Sequence, residues 1–267
     1  MRVLKNIAIR LTGNFLAQKL LRKNLEVSSY LMGIGAGTNV KESGELVLVK
    51  QILHSKKNKT VIFDVGANVG LFSNLMISEL TGKLDYELHS FEPSRTTFKE
   101  LEKNIKPGEN IYLNNFAFGK EKKKSSLFYD FAGSGLASLT KRKLEHFNIN
   151  FDYSEDILVD TLDNYCQNKN IESIDLLKID VEGHELDVLI GGADMFSNKK
   201  IKLVSFEFGG SNIDTKTYYR DFYYFFKEYK MKIYRITPSS FLVPMNGYKE
   251  IYEQFRTTNF IATLETN

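Results

Sequence analysis

Two stretches of the chain concentrate side chains able to do chemistry. The first, Phe63–Gly70 (FDVGANVG), sets Asp64, Gly66, Asn68 and Gly70 at the end of a short β-branched run. Glycines there let the backbone pass close to a ligand and turn into a following helix. Their spacing is G-x-x-x-G, without the middle glycine that clears room for a pyrophosphate. A cofactor lacking a phosphate suits this loop better than a nicotinamide dinucleotide does, and Asp64 at its entrance suits a cationic amino group. S-adenosylmethionine has that group and no phosphate. Glu92, in HSFEPS and 28 positions after Asp64, offers a carboxylate to both hydroxyls of a ribose.

The second stretch is Lys178–Glu185 (KIDVEGHE). Methyl transfer from a sulfonium is an in-line displacement, so alignment of nucleophile, methyl and sulfur is the main task. A hydroxyl nucleophile also gains from a base within hydrogen-bond reach. Asp180 and Glu182 share one side by the strand period of two if the strand reaches that far, and Lys178 shares it with them. Lys178 then pairs with one acid or orients the acceptor. The competing reading makes Lys178 and Glu182 a structural ion pair and Asp180 a helix cap. His184 has the pKa suited to a base near neutrality, or is a surface histidine.

Further candidates lie on the same expected edge. Glu207 closes the run VSFEFGG, and Ser134–Ser138 (SGLAS) follows a lysine-rich hairpin as a candidate wall for the acceptor. Asp160 and Asp163 (VDTLD) form another acid pair, with Asp163 also readable as a helix N-cap. Together with Asp180 and Glu182 they could hold a hard cation, which prefers oxygen ligands. Metal dependence is not the favoured reading. Gly33, Gly35 and Gly37 look like a phosphate cradle but follow no β-branched strand, and read as flexible backbone able to close over the cofactor. Cys166 reads as a small buried hydrophobe.

These residues need a scaffold that brings strand ends together. Short apolar runs at Thr60–Val65, Tyr86–Phe91, Asn110–Phe118, Ile174–Ile179 and Lys202–Phe208 alternate with helical stretches at Val69–Leu80, Thr96–Asn104, Leu162–Gln167 and Glu185–Ile190. Such alternation implies a mainly parallel sheet with helices on both faces, whose ligands bind beyond the carboxyl ends of the strands. A helix at Thr217–Tyr229 and strands at Lys232–Ile236 and Thr258–Thr263 follow. In that helix Tyr219, Phe222, Phe226 and Tyr229 form a core stripe, while the remaining tyrosines are free to stack on sugar rings.

With 267 residues, 42% of them apolar, the chain can bury a large core. One cysteine excludes an internal disulfide, and a formal charge of +3 is too small to argue for nucleic acid. No apolar run reaches the roughly 18 residues of a membrane span, and Lys5 and Arg10 interrupt any secretory core, so a cytoplasmic protein is expected. Yet Arg2, Lys5, Arg10, Lys19, Arg22 and Lys23 all precede the first acid, Glu26. Leu4, Ile7, Leu11, Phe15, Leu20 and Leu21 lie among them at roughly helical spacing. The segment reads as a helix docked on its own domain, or as one lying on an anionic membrane.

The set FDVGANVG, SFEPS, NFAFG, VDTLDNY and LLKIDVEGHELDVLIGG resembles the FkbM-type S-adenosylmethionine-dependent methyltransferases, over roughly residues 43–263. The resemblance implies a Rossmann-like sheet of seven strands with the last antiparallel, and methyl transfer to a hydroxyl of a sugar or natural product, as in polysaccharide biosynthesis. It implies that Asp64, Gly66, Asn68 and Gly70 line the methionine end of the cofactor. Glu92 would bind the ribose, and the Asn115–Ala117 turn would pass the adenine. Glu45, in the SGE that precedes the first strand, would reach the cofactor, and Asp163 would stand beside the substrate loop. His184 occupies a position where the family often has a small residue, so the resemblance does not make it a base.

The resulting expectation is an O-methyltransferase acting on a saccharide or glycosylated metabolite, with S-adenosylhomocysteine as product. Residues 1–42 would be a helical extension and 43–267 one domain. An RNA ribose methyltransferase is the first rival. It lacks a basic aromatic platform, and Pro93, Pro107, Pro238 and Pro244 are too isolated for the Pro-Pro motif of base-amine methylation. A non-catalytic binder that keeps the cofactor fold is the second.

Overall fold

The computed structural model describes residues 6, 9–37, 43–54, 59–106 and 108–264. Arg2, Leu4, Lys5 and Ile7 of the basic segment lie outside them. Within them the segment forms one long helix, α1 (Phe15–Leu31), with the Asn14 side chain accepting from the Ala17 N–H as N-cap. A second helix, α2 (Leu46–His54), precedes the first strand.

The strand runs read from the sequence assemble as expected. β1 (Thr60–Val65), β2 (Tyr86–Phe91) and β3 (Ile111–Asn114) step outward in one direction, separated by α3 (Leu71–Leu80) and α4 (Arg95–Asn104). The chain then returns to the other side of β1. There β7 (Ile174–Ile179), β8 (Ile201–Phe208), β9 (Met231–Ile236), β10 (Leu242–Pro244) and β11 (Thr258–Leu264) complete the sheet. The spatial order is β10-β9-β11-β8-β7-β1-β2-β3, eight strands because the short β10 adds an edge to the expected seven. In that sheet β3, β2, β1, β7 and β8 run parallel, and β11 inserts antiparallel between β8 and β9.

Strand period and two-sided burial explain why these runs are almost continuously apolar. Ile62 and Phe63 are neighbours in sequence but enter different cores, as do Leu176 and Leu177, Leu203 and Val204, and Phe260 and Ile261. One core, rich in phenylalanine, packs α5 (Leu162–Lys169), α6 (Glu185–Ile190), α7 (Ala193–Ser197) and α9 (Tyr219–Glu228) on the sheet. The other packs α2 and α3 on the opposite face. In α9 the stripe Tyr219, Phe222 and Phe226 is buried, and Tyr229 packs at its edge.

One expected strand is divided. The run Asn110–Phe118 leaves the main sheet after Asn114, where the Asn115 side chain donates to the carbonyls of Glu92 and Pro93 at 2.9 and 3.0 Å. Its second half, β4 (Ala117–Phe118), joins a small sheet with β6 (Tyr153–Asp160) and β5 (Lys123–Tyr129). Gly33 and Gly35 are not flexible closure. Both have positive φ, and a Cβ on Gly33 would stand 2.1 Å from the Ile236 carbonyl oxygen, so this turn is packed tightly on the end of β9.

The parallel order reverses between β1 and β7, and there Gly66 (φ +81°) brings the chain so close that a Cβ would lie 1.8 Å from the Asp180 carbonyl oxygen. Substituting Gly66→Ala is therefore expected to lower the unfolding free energy by roughly 2–4 kcal/mol, combining a left-handed backbone with a forced shift of the β7 end. Urea denaturation would check this; an unchanged midpoint would show that the two strand ends can part.

Candidate active site

The centre of the site is an ion cluster behind the strand ends. Asp64 and Lys178 are register partners across β1 and β7. The Lys178 ammonium lies 3.3 Å from Asp64 Oδ1 and 3.5 Å from Asp180 Oδ2. Asp64 is fully buried, and its other oxygen accepts from the Ser73 hydroxyl at 2.6 Å. Burial alone would push the Lys178 pKa down, but Asp64, Asp180 and Glu45 outweigh it and hold the ammonium charged. Glu45 is buried too, accepts from Ser43 at 2.8 Å, and has its pKa raised by desolvation.

In front of this cluster a cavity of about 750 Å³ opens at the carboxyl edge of the sheet, within the range of small-molecule sites. Its floor is made by Gly66 and Asn68 after β1, Glu92 after β2, and Asp180, Glu182 and His184 after β7. Glu207 at the end of β8, Ala117 of β4 and Ser134 in the loop after β5 also line it. Nine residues expected at the site thus meet around one space. Seven others are placed elsewhere or act from behind. Asp64, Lys178 and Glu45 do not line the cavity and form the buried support behind it. Gly70 caps α3, where a Cβ would strike Leu101 and Ile105, and its task is helix packing. Asn115 is the bracket that bends the chain out of β3.

Asp160 and Asp163 correct the acid-pair expectation. Asp160 accepts from the Thr161 N–H and the Asn164 side chain, and Asp163 accepts from the Asp194 and Met195 N–H groups at the start of α7. The N-cap of α5 is Thr161, not Asp163. Neither acid lines the cavity, and the four-carboxylate set is not assembled. Among the described residues no group of three or more metal-ligating side chains comes together.

The strand period also stops short of Glu182. β7 ends at Ile179, and Glu182 takes a left-handed conformation (φ +54°). Its carboxylate meets Arg142 at 2.6 Å and its carbonyl accepts from Ser138 Oγ at 2.8 Å. The partner of Glu182 is therefore Arg142, not Lys178, and Arg142 also faces Asp214 at 3.6 Å. Capping after β7 falls to Glu185, which accepts from the Val181 and Gly183 N–H groups, rather than to Asp180. His184 is bound on both ring nitrogens, to Asp187 at 2.8 Å and Thr140 at 3.0 Å. The cavity also holds Arg142, Asp214, Arg256 and the aromatic side chains Phe147 and Phe255, none of which the sequence singles out, beside Phe116 of the expected adenine turn. The buried stripe of α9 does not line it.

The lining is rich in carboxylates. Glu92, Asp180, Glu182, Glu207 and Asp214 face Arg142, Lys143 and Arg256. Glu92 is buried, with one oxygen accepting from the Asn68 N–H at 3.0 Å and the other from the Ser94 N–H at 2.9 Å. Each oxygen keeps a lone pair for a further donor. Burial lifts the Glu92 pKa to about 7. Burial, and then the nearby Asp180 charge, lifts Glu182 to about 8. Glu207 is raised by burial and by Asp180 and Glu182; it and Asp180 each lie one step beyond the paired residues Phe206 and Ile179 of adjacent parallel strands. Such a group fits a cationic ligand carrying a diol. Gly66 leaves bare backbone beside it, and Cys166, whose thiol burial raises to about 12, offers no nucleophile.

Two stability predictions follow from these charges. Replacing Lys178 by methionine strands Asp64 and Glu45 without their cation and should cost about 3–5 kcal/mol in urea denaturation. A loss below about 1 kcal/mol would show that the carboxylates simply take up protons. Separately, Glu92 and Glu182 hold protons in the fold that the unfolded chain has already released. Stability must then fall as pH rises from about 6.5 to 8.5. The buried His89, whose pKa is lowered by desolvation, opposes this only below its ordinary 6.5. Urea midpoints across that window should decline, and less steeply in Glu92→Gln; a flat profile would contradict the raised values.

The chain is similar to known methyltransferases. The profile of the methyltransferase FkbM domain matches residues 64–233. The 2-O-methyltransferase NoeI of Sinorhizobium fredii is 26% identical over 171 residues, 60% of this chain and 69% of NoeI. The hexuronic acid methyltransferase AglP of Haloferax volcanii is 24% identical over 168 residues, 62% of this chain and 64% of its own length. Among solved structures, an FkbM methyltransferase from Methylobacillus flagellatus aligns with a TM-score of 0.45 at 14% identity, over 76% of this chain and 44% of that one. The chain thus spans less than two thirds of AglP and less than half of the Methylobacillus protein. Its profile match runs from Asp64 of the glycine loop through the KIDVEGHE block to β9, and the chain belongs to the FkbM methyltransferase domain family.

Proposed function

We propose that this protein transfers a methyl group from S-adenosylmethionine to a hydroxyl of a saccharide. The observation that carries the reading is the convergence, in one cavity, of the Glu92 carboxylate with the Asp180–Glu182–Glu207 group. Family membership supports methyl transfer. The sugar acceptor is supported by what NoeI and AglP are named for.

When bound, the donor supplies a methyl group on a cationic sulfur. Glu92 would take the ribose hydroxyls with its remaining lone pairs, and the excess of carboxylates over cations favours the positive charge. Gly66 and Asn68 present backbone at the same end, and Ala117 with Phe116 offers an apolar surface for the adenine. On the acceptor side, Phe147 and Phe255 give flat faces for a sugar ring, and Ser134 and Arg142 give hydrogen bonds.

Glu207 is the base in this reading. Asp180 is held by Lys178 and Glu182 by Arg142. No hydrogen bond or ion pair engages the Glu207 carboxylate among the described residues. Its raised pKa makes it a stronger base than an ordinary glutamate. The acceptor oxygen would bond the methyl carbon as the methyl–sulfur bond breaks, and Glu207 would take the hydroxyl proton, leaving the protein one proton richer and the sulfur neutral.

Calorimetric titration with S-adenosylhomocysteine tests the donor site. Wild type should bind, and Glu92→Ala should bind roughly 10–100-fold more weakly, having lost two charge-assisted hydrogen bonds. On a panel of saccharide acceptors, Glu207→Gln should keep that affinity and lose roughly 10²–10⁴ in turnover. No binding by wild type would overturn the donor assignment. Turnover on RNA but on no saccharide would overturn the acceptor, and undiminished turnover in Glu207→Gln would remove it as base.

A further inference from the structure

Helix α1 has one buried residue, Ser29, near its C-terminal end. Leu16, Leu20, Leu21, Leu25, Val27 and Leu31 are all exposed, most of them by more than half (Leu16 68%, Leu25 65%, Leu31 67%). At the helical repeat these six fall within one arc of about 180°. The opposite arc carries Gln18, Lys19, Arg22, Lys23, Glu26 and Ser29. Phe15 and Tyr30 are the large side chains on that polar side, while Asn24 and Ser28 interrupt the leucine arc. An exposed apolar face of this extent does not stay bare without an occupant.

A second copy of the chain and a lipid surface are the two contenders, and pattern and charge separate them. A helix pair needs a narrow seam repeating every 3.5 residues. Here the seam through Leu16 and Leu20 meets Lys23, and the seam through Leu21 and Leu25 meets Ser28. The arc is too broad for a seam and matches a helix half sunk in an interface. Lys19, Arg22 and Lys23, with Arg10 in the helical stretch of residues 9–12, outnumber the single acid Glu26. Two such helices repel one another, whereas anionic headgroups attract them. At 17 residues α1 is only ~25 Å long. No helix among the described residues is long and apolar enough to cross a membrane.

We propose that α1 lies in the plane of an anionic lipid bilayer, its leucine face at the acyl boundary and Lys19, Arg22 and Lys23 among the headgroups. The turn that follows ties this helix to the cavity. Ile34 and Ala36 are buried, and the Gly35 and Gly37 N–H groups both donate to the Thr257 carbonyl, at 3.0 and 3.2 Å. Gly37, Arg256 and Thr257 line the cavity. Docking of α1 therefore sets the cavity rim beside the lipid surface. The inference stands independently of the reaction performed there.

Vesicle flotation of the full chain tests it, with pure phosphatidylcholine compared with phosphatidylcholine containing phosphatidylglycerol. The protein should float with the anionic vesicles only, and less so in high salt. Lys19→Gln, Arg22→Gln and Lys23→Gln combined should weaken partitioning roughly a hundredfold, about a fivefold loss for each charge removed. Leu20→Asn with Leu25→Asn should abolish flotation while leaving the melting temperature unchanged, since both side chains are exposed. No flotation, or flotation equal in all variants, would overturn the proposal. So would a dimer in light scattering that the leucine variants dissolve in the absence of lipid.

Discussion

The buried pairing of Lys178 with Asp64 is the constraint on which the rest of this site depends. It joins the two central strands at the point where the sheet reverses its order, and it draws Asp180 and Glu45 toward the same cation. An ammonium in that position is expensive to leave unpaired, and so are the acids around it. Each of the four charges therefore fixes the position of the others. Asp180 is the only one of them that reaches the cavity, so the cluster works as a foundation for one reactive edge rather than as a set of ligands.

Above that foundation the site has two kinds of wall. The floor comes from strand ends and tight glycine turns, whose backbone has almost no room to shift. The roof comes from the loop of residues 134–147 and the short helix Ser211–Thr215, joined to the floor by Arg142 as it bridges Glu182 and Asp214. Rigid elements hold the groups proposed to act on the donor, while the loops shape the space left for an acceptor. Such a division lets one sheet serve many acceptors through changes in its loops alone.

Legibility of the sequence followed burial. β1 and β7 were read to the residue because strands buried on both faces leave mostly apolar runs with sharp ends. The small sheet was missed because β5 and β6 bury only Leu127, Ile157 and Val159 among lysines, serines and acids, too weak a pattern to stand out. Motif spacing located Glu92, Gly66 and Asn68, since local backbone turns fix them. It could not tell that Asp64 would face away from the cavity, because that depends on a lysine more than a hundred positions later in the chain. Arg142 gave no signal at all: it sits in a loop without periodicity, and its partner is 40 residues away.

The carboxyl groups that share protons near neutrality also give the cavity an adjustable charge. A cation entering it stabilises their ionised forms, so cofactor and protons trade places, and the heat of binding will carry the ionisation heat of whatever buffer collects them.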